Sequence, residues 1–342
     1  MATANGDKLD LPVIDISSAD SGVAKQILDA ASRYGFVFVS NENNAFDQAD
    51  IQRMFGLSRD FFSLPTDVKA ECSIHSSKSG KNRGWLSMHT ETLDPGNQKR
   101  GDFKEAFNFG EFVDGKAQQP LPAPLADEEA FIGRFADQCH ALCNKILELF
   151  ATALEVCGSR WFSDRHDRSK GPSGSVLRLL YYPALKDNSY NPTLDIRAGA
   201  HSDYGSITLL FQLPSQPGLE ILTPSNTWAP VPVNPLNQAV PPVLVNIGDL
   251  LSYWTNGLLK STVHRVIFPK DGRGGEDRYS IAYFCHPLDE ARLEGVPSRM
   301  VVEHKGRGGE EGEKGRVLTA RDHLNMRLAA TYRLKEEKDG AS

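Results

Sequence analysis

Short apolar runs separated by turn residues fill the second half of the chain. These runs have the length and the β-branched and aromatic content of strands, and Pro, Gly, Asn and Asp cluster between them. They read SVLRLLYY, GSITLLFQ, LEILT, PVLVNI, STVHRVIF and RYSIAYFC. The pattern predicts an all-β sandwich or barrel, of which the jelly roll is the double-sheet form.

Helical spacing is more frequent in the first half. We predict two short strands at LPVIDIS and GFVFVS, with helices over 19–33 and 46–62. The longest helix is predicted over 127–157, where apolar residues recur at helical spacing. Residues 72–124 are polar, Gly-rich and weakly periodic, which indicates a long functional loop region. The whole pattern predicts an α+β protein with a mainly β core buttressed by helices.

Composition narrows the functional classes. The 342 residues carry 38 Lys and Arg against 44 Asp and Glu, a net charge of −6, without a dense basic block. We therefore expect no nucleic-acid partner. The N-terminal stretch lacks a secretion-signal pattern and no apolar run is long enough to span a membrane, so we expect a cytoplasmic protein without a membrane partner. Five scattered cysteines without a CxxC spacing fit reduced thiols. The oligomeric state is left open.

Polar residues interrupt two of the predicted strand regions. His201 and Asp203 share one strand face in AGAHSDYGSITLLFQ, and His264 lies in the middle of STVHRVIF. A polar side chain within an apolar strand needs a specific reason. Two imidazoles and one carboxylate form the facial triad that binds non-haem iron(II) and leaves coordination positions open. The alternative is that these residues are hydrogen-bonded members of the core.

A third polar pair follows on the last strand. Arg278 and Ser280 lie on one face of RYSIAYFC, and Arg278 comes 14 positions after His264. A guanidinium beside a hydroxyl suits a carboxylate, because Arg offers two parallel charge-assisted hydrogen bonds. An ordinary buried ion-pair site is the alternative. Together with the His and Asp residues, the pair favours an iron site that uses a carboxylate co-substrate.

These motifs, in this order, resemble the 2-oxoglutarate and iron(II)-dependent oxygenases of the isopenicillin N synthase-like superfamily. LPVIDIS, YGFVFV and FFSLPTDVK are similar to its N-terminal domain, and NRGWLSMHTE and DFKEAFNFGE to its middle signature. LRLLYYP, AHSDYGSITLL, NIGDLL, KSTVHRV and RYSIAYFCHP are similar to its catalytic double-stranded β-helix, or jelly roll. The chain also resembles the fungal branch that contains thymine 7-hydroxylase and the citrinin and tropolone polyketide methyl oxidases. The resemblance implies an N-terminal oxygenase domain over 8–122 and a catalytic jelly-roll domain with supporting helices over 123–342.

The resemblance also implies the chemistry. Iron(II) would be the cofactor, with 2-oxoglutarate and O2 as co-substrates, and an unactivated C–H bond of a small-molecule substrate would be hydroxylated. The fungal branch suggests a methyl group on a small ring, either a pyrimidine or a polyketide, as in secondary-metabolite biosynthesis. The residues that match the iron ligands are His201, Asp203 and His264. Those that match the binding site for the distal carboxylate of 2-oxoglutarate are Arg278, Ser280 and Tyr182.

Apolar and aromatic side chains are expected to wall the substrate pocket, because such a site must exclude water. Arg178 shares a strand face with Tyr182 and is a candidate anchor for an acidic oxygen of the substrate. Core packing is the open alternative for the aromatic candidates. Asp102, Lys104 and Glu105 fit either a solvated charged turn or a place near the active site. The candidate substrate contacts are Arg178, Phe107, Phe109, Met88, Phe211, Phe284 and Met326.

Three other functions are weighed against the oxygenase. A 2-oxoglutarate-independent oxidase of the same superfamily would use Arg278 and Ser280 for a substrate carboxylate. A non-catalytic small-molecule binding protein would use the pocket alone, and it would not need three metal ligands. A zinc hydrolase would use the same three ligands but would leave Arg278 without a task. Release of succinate distinguishes the oxygenase from these alternatives.

Overall fold

Two main β-sheets, a small two-stranded sheet and a layer of helices make up the described part of the protein. The computed structural model describes residues 9–42, 46–185, 189–191, 194–269, 275–304 and 317–339. The helices are α1 (Ser21–Arg33), α2 (Gln48–Phe62), α3 (Thr66–Ala70), α4 (Ala123–Ala126), α5 (Glu129–Ala153), α6 (Asp249–Trp254), α7 (Arg299–Glu303) and α8 (Ala320–Asp339). The strands are β1 (Val13–Ile14), β2 (Phe36–Val39), β3 (Gly84–Leu86), β4 (Glu105–Phe109), β5 (Phe112–Val113), β6 (Lys116–Ala117), β7 (Val176–Tyr182), β8 (Ala198–His201), β9 (Ile207–Gln212), β10 (Leu219–Leu222), β11 (Trp228–Pro230), β12 (Val243–Ile247), β13 (His264–Val266) and β14 (Arg278–Cys285).

Twelve of the fourteen strands listed above form two sheets of different size, and β5 and β6 pair as a separate two-stranded sheet. The larger sheet has eight strands in the order β1-β2-β12-β9-β14-β7-β4-β3, and the smaller has four in the order β11-β10-β13-β8. Neighbouring strands pair antiparallel, except for β1 and β2. Strands that are distant in sequence lie side by side in both sheets. This crossing connectivity brings residues from separate motifs to one place.

The two faces of the larger sheet bury different sets of side chains. Along β7, Leu177 and Leu179 pack into the core formed with the helices, whereas Leu180 and Tyr182 pack into the cluster between the sheets. The alternation follows from the two-residue period of a strand. One residue position therefore decides whether a side chain contacts the helices or the space between the sheets.

Helices α1, α2 and α5 cover the outer face of the larger sheet. In α5, Phe135, Cys139, Leu142 and Ile146 recur at helical spacing and are buried in that core. At the start of α1, the Asp20 carboxylate accepts hydrogen bonds from two backbone N–H groups that the helix itself leaves open. The helical layer thus supports the sheet from the side opposite the smaller sheet.

The structure confirms the predicted α+β architecture with a mainly β, jelly-roll core. The predicted loop region over 72–124 is wrong in part, because β3 and β4 lie within it and β4 pairs with β7 in the larger sheet. The division between 8–122 and 123–342 stays a prediction, and strands from both ranges share the larger sheet. Within the described part of the chain, no helix is both long and apolar enough to cross a membrane.

Candidate active site

His201, Asp203 and His264 come together between the sheets. β8 ends at His201 and β13 begins at His264, and the two histidines are direct partners in the smaller sheet. Asp203 follows two residues after His201. The three side chains each offer one ligand atom, and these atoms all lie within 4.8 Å of one another. The two imidazole Nε2 atoms are 3.9 and 3.8 Å from Oδ1 of Asp203. The structure thus assembles the predicted triad.

Both imidazoles are oriented by backbone carbonyl groups. Nδ1 of His201 lies 2.8 Å from the Gly199 carbonyl oxygen, and Nδ1 of His264 lies 3.2 Å from that of Thr262. Because a carbonyl oxygen only accepts, each Nδ1 carries a hydrogen, so in the neutral ring the lone pair for a metal ion is on Nε2. Burial, with the neighbouring His264, lowers the pKa of His201 to about 4. His201 is therefore neutral at pH 7, as a metal ligand must be.

The Asp203 carboxylate is held by two side chains that donate to the same oxygen. Thr208 Oγ1 and Asn246 Nδ2 both lie 2.7 Å from Oδ2, which leaves Oδ1 facing the histidines. Burial by itself would raise the pKa of Asp203, but the adjacent imidazoles and these two hydrogen bonds lower it. A carboxylate beside two imidazoles fits a divalent cation such as iron(II).

Sequence reasoning did not identify Thr208 and Asn246. The signal was present, because Asn246 is a polar residue inside the apolar run VLVNI and Thr208 one inside ITLLFQ. The two are cross-strand partners in the larger sheet and both are buried. Such supporting contacts commonly position metal ligands.

Arg278 is the first residue of β14, and its side chain is buried. It is 2% exposed, and its guanidinium carbon is 4.9 Å from the ring centroid of Tyr182, its partner on β7. The guanidinium donates to Gln212 Oε1 at 3.0 Å and to Ser280 Oγ at 3.4 Å, and Nε donates to the Gln216 carbonyl oxygen at 3.2 Å. Burial lowers the pKa of Arg278. All of these acceptors are neutral, so the site suits a carboxylate ligand.

The triad and Arg278 line one cavity of about 340 Å³. Alternate residues of β14 project into it, and because a strand advances about 3.4 Å per residue, Arg278 and Phe284 are roughly 20 Å apart along the strand. The residues of β14 and its continuation that line the cavity are Arg278, Ser280, Ala282, Phe284 and His286. The cavity therefore extends well beyond the triad and Arg278, which leaves space for a second small molecule.

Charged side chains line the wall near Phe284. Arg178, Glu91 and Lys104 all face the cavity, and Asp102 is fully buried behind Lys104. Asp102 and Lys104 are therefore buried near the active site rather than part of a solvated turn. Glu105 instead pairs with Lys69 and does not line the cavity. Nothing in the sequence pattern identified Glu91, which lies in an irregular segment between β3 and β4.

Two of the seven predicted substrate contacts, Arg178 and Phe284, line the cavity. Phe107, Phe109 and Phe211 instead belong to the core on the helix side of the larger sheet. Each lies on the face of its strand that points away from the cavity. Met88 packs in a separate cluster with Phe103, Tyr190 and Phe268. Met326 is 58% exposed, and its helix turns Leu324 and Leu328 to the cavity. These five residues do not line the cavity, which corrects the prediction.

Comparison with known proteins agrees with this geometry. Residues 11–127 match the model of the "non-haem dioxygenase in morphine synthesis N-terminal" family, and residues 173–287 match that of the 2OG-Fe(II) oxygenase superfamily. The chain therefore belongs to the 2OG-Fe(II) oxygenase superfamily. It is a 2-oxoglutarate-dependent non-haem iron dioxygenase that uses iron(II), 2-oxoglutarate and O2. This rejects the alternatives of an oxidase without 2-oxoglutarate, a binding protein and a zinc hydrolase.

Several fungal proteins are similar to this chain over most of their length. UPF0676 protein C1494.01 of Schizosaccharomyces pombe is 35% identical, over 95% of this chain and 93% of its own length. The 2-oxoglutarate-dependent dioxygenase htyE of Aspergillus rugulosus is 32% identical, over 90% of this chain and 92% of its own. A full-length Neurospora crassa enzyme solved with alpha-KG is 31% identical, with a TM-score of 0.79, over 96% of this chain and 98% of that one. The same enzyme has been solved with alpha-KG and thymine.

Proposed function

We propose that this enzyme hydroxylates an unactivated C–H bond of a small-molecule substrate, a methyl group on a small ring. In this proposal His201, Asp203 and His264 hold iron(II). Arg278, Ser280 and Tyr182 hold the distal carboxylate of 2-oxoglutarate. The observation that carries the proposal is that both groups of residues open onto one cavity. A role in fungal secondary metabolism stays a prediction.

The donor set supports the iron assignment. Two imidazoles and one carboxylate place their ligand atoms within 4.8 Å of one another, and three protein ligands leave positions open for exogenous ligands. Bound iron(II), together with 2-oxoglutarate and O2, supplies the oxidant for C–H hydroxylation, with release of succinate and CO2. The role of the protein side chains is to orient the ligands, bind the co-substrate and hold the substrate C–H bond beside the metal position.

The hydrogen-bond partners of Arg278 support the co-substrate assignment. The described residues give this buried guanidinium only neutral acceptors, so a carboxylate ligand would supply the missing negative charge. Ser280 and Tyr182 lie beside it on the inward faces of β14 and β7. A dicarboxylate anchored there by one end would extend along the cavity and direct its keto acid end toward the triad.

The cavity walls support a small ring as substrate. Phe284 lies beside Arg178, with 5.5 Å between the guanidinium carbon and the ring centroid, so an aromatic face and polar groups are available together. Leu180, Leu210 and Val266 add apolar surface that excludes water from the metal position. The related Neurospora crassa enzyme binds thymine, a methylated ring of this size.

Product analysis tests the proposal. Iron(II)-loaded protein would be incubated in air with 2-oxoglutarate and, one at a time, thymine and a panel of methylated arenes and polyketide rings. We expect at least one ring to stimulate succinate release and to gain one oxygen atom, detected by mass spectrometry, in equal amounts. His264→Ala should abolish both signals because it removes a metal ligand.

The matched control is His75→Ala, since His75 does not line the cavity. This variant should retain wild-type turnover. Succinate release that no ring stimulates, with no oxygenated product from any of them, would reject the proposed substrate class. Full turnover by His264→Ala would reject the assigned iron site.

A further inference from the structure

Three buried cations line the active-site cavity, and their partners differ. Among the described residues, Arg278 donates only to neutral acceptors. Arg178 and Lys104 each contact a carboxylate. At Arg278 the guanidinium therefore has no carboxylate partner among the described residues. At Arg178 and Lys104 the positive charges are matched by carboxylates.

The Arg178 guanidinium is bonded on three sides. Its Nε donates to Asn108 Oδ1 at 2.6 Å, and its Nη1 and Nη2 atoms each lie 3.3 Å from a Glu91 carboxylate oxygen. The side chains of Arg178 and Glu91 are only 13% and 17% exposed. This pair is thus shielded from solvent, where the interaction between charges is strong.

Lys104 completes the charge balance. Its Nζ lies 2.5 Å from Asp102 Oδ2 and 3.1 Å from Glu91 Oε2. Asp102 is held in turn by the Gln98 side chain at 2.8 Å and the Gly199 backbone N–H at 3.1 Å. Burial by itself would raise the pKa of Glu91, but Arg178 and Lys104 lower it to about 2. Arg178 and Lys104 therefore face the carboxylates of Glu91 and Asp102, and these four side chains match in formal charge. Lys99 and Arg100 also line the cavity, but both are exposed.

We propose that Glu91 is a specificity-determining residue that selects uncharged substrates able to donate an N–H hydrogen bond. This inference rests on the proposed function and defines its substrate class further. Glu91 lines the cavity as an ionised carboxylate, which can only accept hydrogen bonds. A ring amide or imide can donate to it, whereas a substrate carboxylate would be repelled.

Arg178 does not offset this selection. An acidic substrate group would have to displace Glu91 from Arg178 and would leave Glu91 with Lys104 alone. A buried carboxylate that loses one of its cations is strongly disfavoured. The pairing of Arg178 therefore disfavours its use as an anchor for an anionic substrate, and 2-oxoglutarate is directed to Arg278 instead.

Matched neutral and anionic ligands test this proposal. The probes are 3-methylbenzamide against 3-methylbenzoate, and indole-3-carboxamide against indole-3-carboxylate, titrated anaerobically into protein loaded with iron(II) and 2-oxoglutarate. We expect the wild type to bind at least one amide at least about tenfold more tightly than its acid. Glu91→Gln keeps the size of the side chain but leaves Arg178 and Lys104 with excess positive charge. It should shift the ratio of the two Kd values by about tenfold or more toward the acid.

Two further variants complete the design. Glu105→Gln is the matched control, because Glu105 is also a mostly buried carboxylate bonded to a lysine, 2.7 Å from Lys69, but does not line the cavity. It should keep the wild-type preference. Lys104→Met leaves the two carboxylates with Arg178 alone and should shift the ratio toward the amide, so the proposal stays testable if Glu91→Gln does not fold.

Three results would overturn the proposal: equal preferences in wild type and Glu91→Gln, wild-type binding of the acids as tight as that of the amides, or no amide binding at all. Binding of 2-oxoglutarate to iron(II) is measured in the same samples by its visible charge-transfer band. If the band is normal, any of the three results rejects the proposed role of Glu91 and leaves the proposed function intact. Loss of the band in the wild type rejects the proposed function.

Discussion

Asn246 donates a hydrogen bond of 2.7 Å to Oδ2 of Asp203. Its cross-strand partner Thr208 donates to the same oxygen. Strands β9 and β12 of the larger sheet thus hold the carboxylate of Asp203, which lies in the loop after β8 of the smaller sheet. The rotation of the carboxylate is set by these donors, and Oδ1 is left to face the histidines.

Asn246→Ala should weaken iron(II) binding by about 10- to 100-fold, because a metal ligand without its supporting hydrogen bond loses its orientation. The measurement is the Kd for iron(II) under anaerobic conditions. Asn234→Ala, in a turn outside the cavity, is the control and should bind iron like the wild type. An unchanged Kd in Asn246→Ala would show that Asn246 does not position Asp203.

Phe284 and Phe107 should respond differently to truncation. Phe107 is fully buried between Phe61 and Phe109, with ring centroids 4.8 Å from each, so Phe107→Ala should lower the free energy of unfolding by about 3–5 kcal/mol. Phe284→Ala should cost clearly less stability, because Phe284 lines the cavity, and should raise the KM for the substrate. Urea denaturation and steady-state kinetics measure the two effects. Equal losses of stability in Phe107→Ala and Phe284→Ala would contradict the placement of Phe107 in the core and of Phe284 in the cavity wall.

The C-terminal helix α8 closes one side of the cavity. Arg327 Nη2 lies 2.6 Å from Asp249 Oδ2, and Leu324 and Leu328 on the same helix line the cavity. A partly exposed ion pair contributes about 0.2–1 kcal/mol. Arg327→Met should therefore raise the KM for the substrate by about two- to fivefold and leave that for 2-oxoglutarate unchanged.

Arg321→Met is the control for this helix. Arg321 pairs with Asp289 at 2.8 Å and does not line the cavity, so its loss should leave both KM values unchanged. A rise in the KM for 2-oxoglutarate in Arg327→Met, equal to that for the substrate, would show that the ion pair supports the whole site rather than its substrate side.

Stability of the metal-free protein should fall as the solution becomes acidic. Burial lowers the pKa values of His286 and His323 to about 4 each, whereas histidine in an unfolded chain titrates near pH 6.5. Between about pH 6.5 and 4 the unfolded state therefore binds protons that the native state does not, and the free energy of unfolding falls by up to about 1.4 kcal/mol per pH unit for each histidine. Denaturation in urea across this range measures the slope. His323→Gln should reduce the slope of the free energy of unfolding against pH. Equal slopes in the wild type and in His323→Gln would contradict the prediction.

Local sequence patterns predicted much of the fold. The helix predicted over 127–157 is observed at Glu129–Ala153, and the strand RYSIAYFC is observed over its full length. Both features depend on residue types at fixed separations along one element. The triad was predicted from the residue types and from the resemblance to the oxygenases. The expectation that His201 and Asp203 share one strand is wrong, because β8 ends at His201 and Asp203 lies in the loop that follows.

The incorrect substrate contacts depend on tertiary packing. Phe107 and Phe211 were assigned to the cavity, but the helices cover the faces of β4 and β9 on which they lie. The polar residues that alternate with them, Asn108, Thr208 and Gln212, mark the other face, which meets the site. Met326 was also assigned to the wrong face, because Leu324 and Leu328, one helical turn apart, take the cavity side of α8. Glu91 reaches the cavity through an irregular segment whose path has no periodic signal.

The most direct test of the assigned site is an anaerobic titration of the iron(II)-loaded protein with 2-oxoglutarate. We expect the weak visible charge-transfer band of a chelated keto acid in the wild type and in Arg168→Ala, whose arginine lies outside the cavity. At the same concentrations Arg278→Ala should lose the band because the distal carboxylate loses its cation, and His264→Ala should lose it because iron binding fails. Iron bound to the wild type without a band, or an unchanged band in both site variants, would contradict the account.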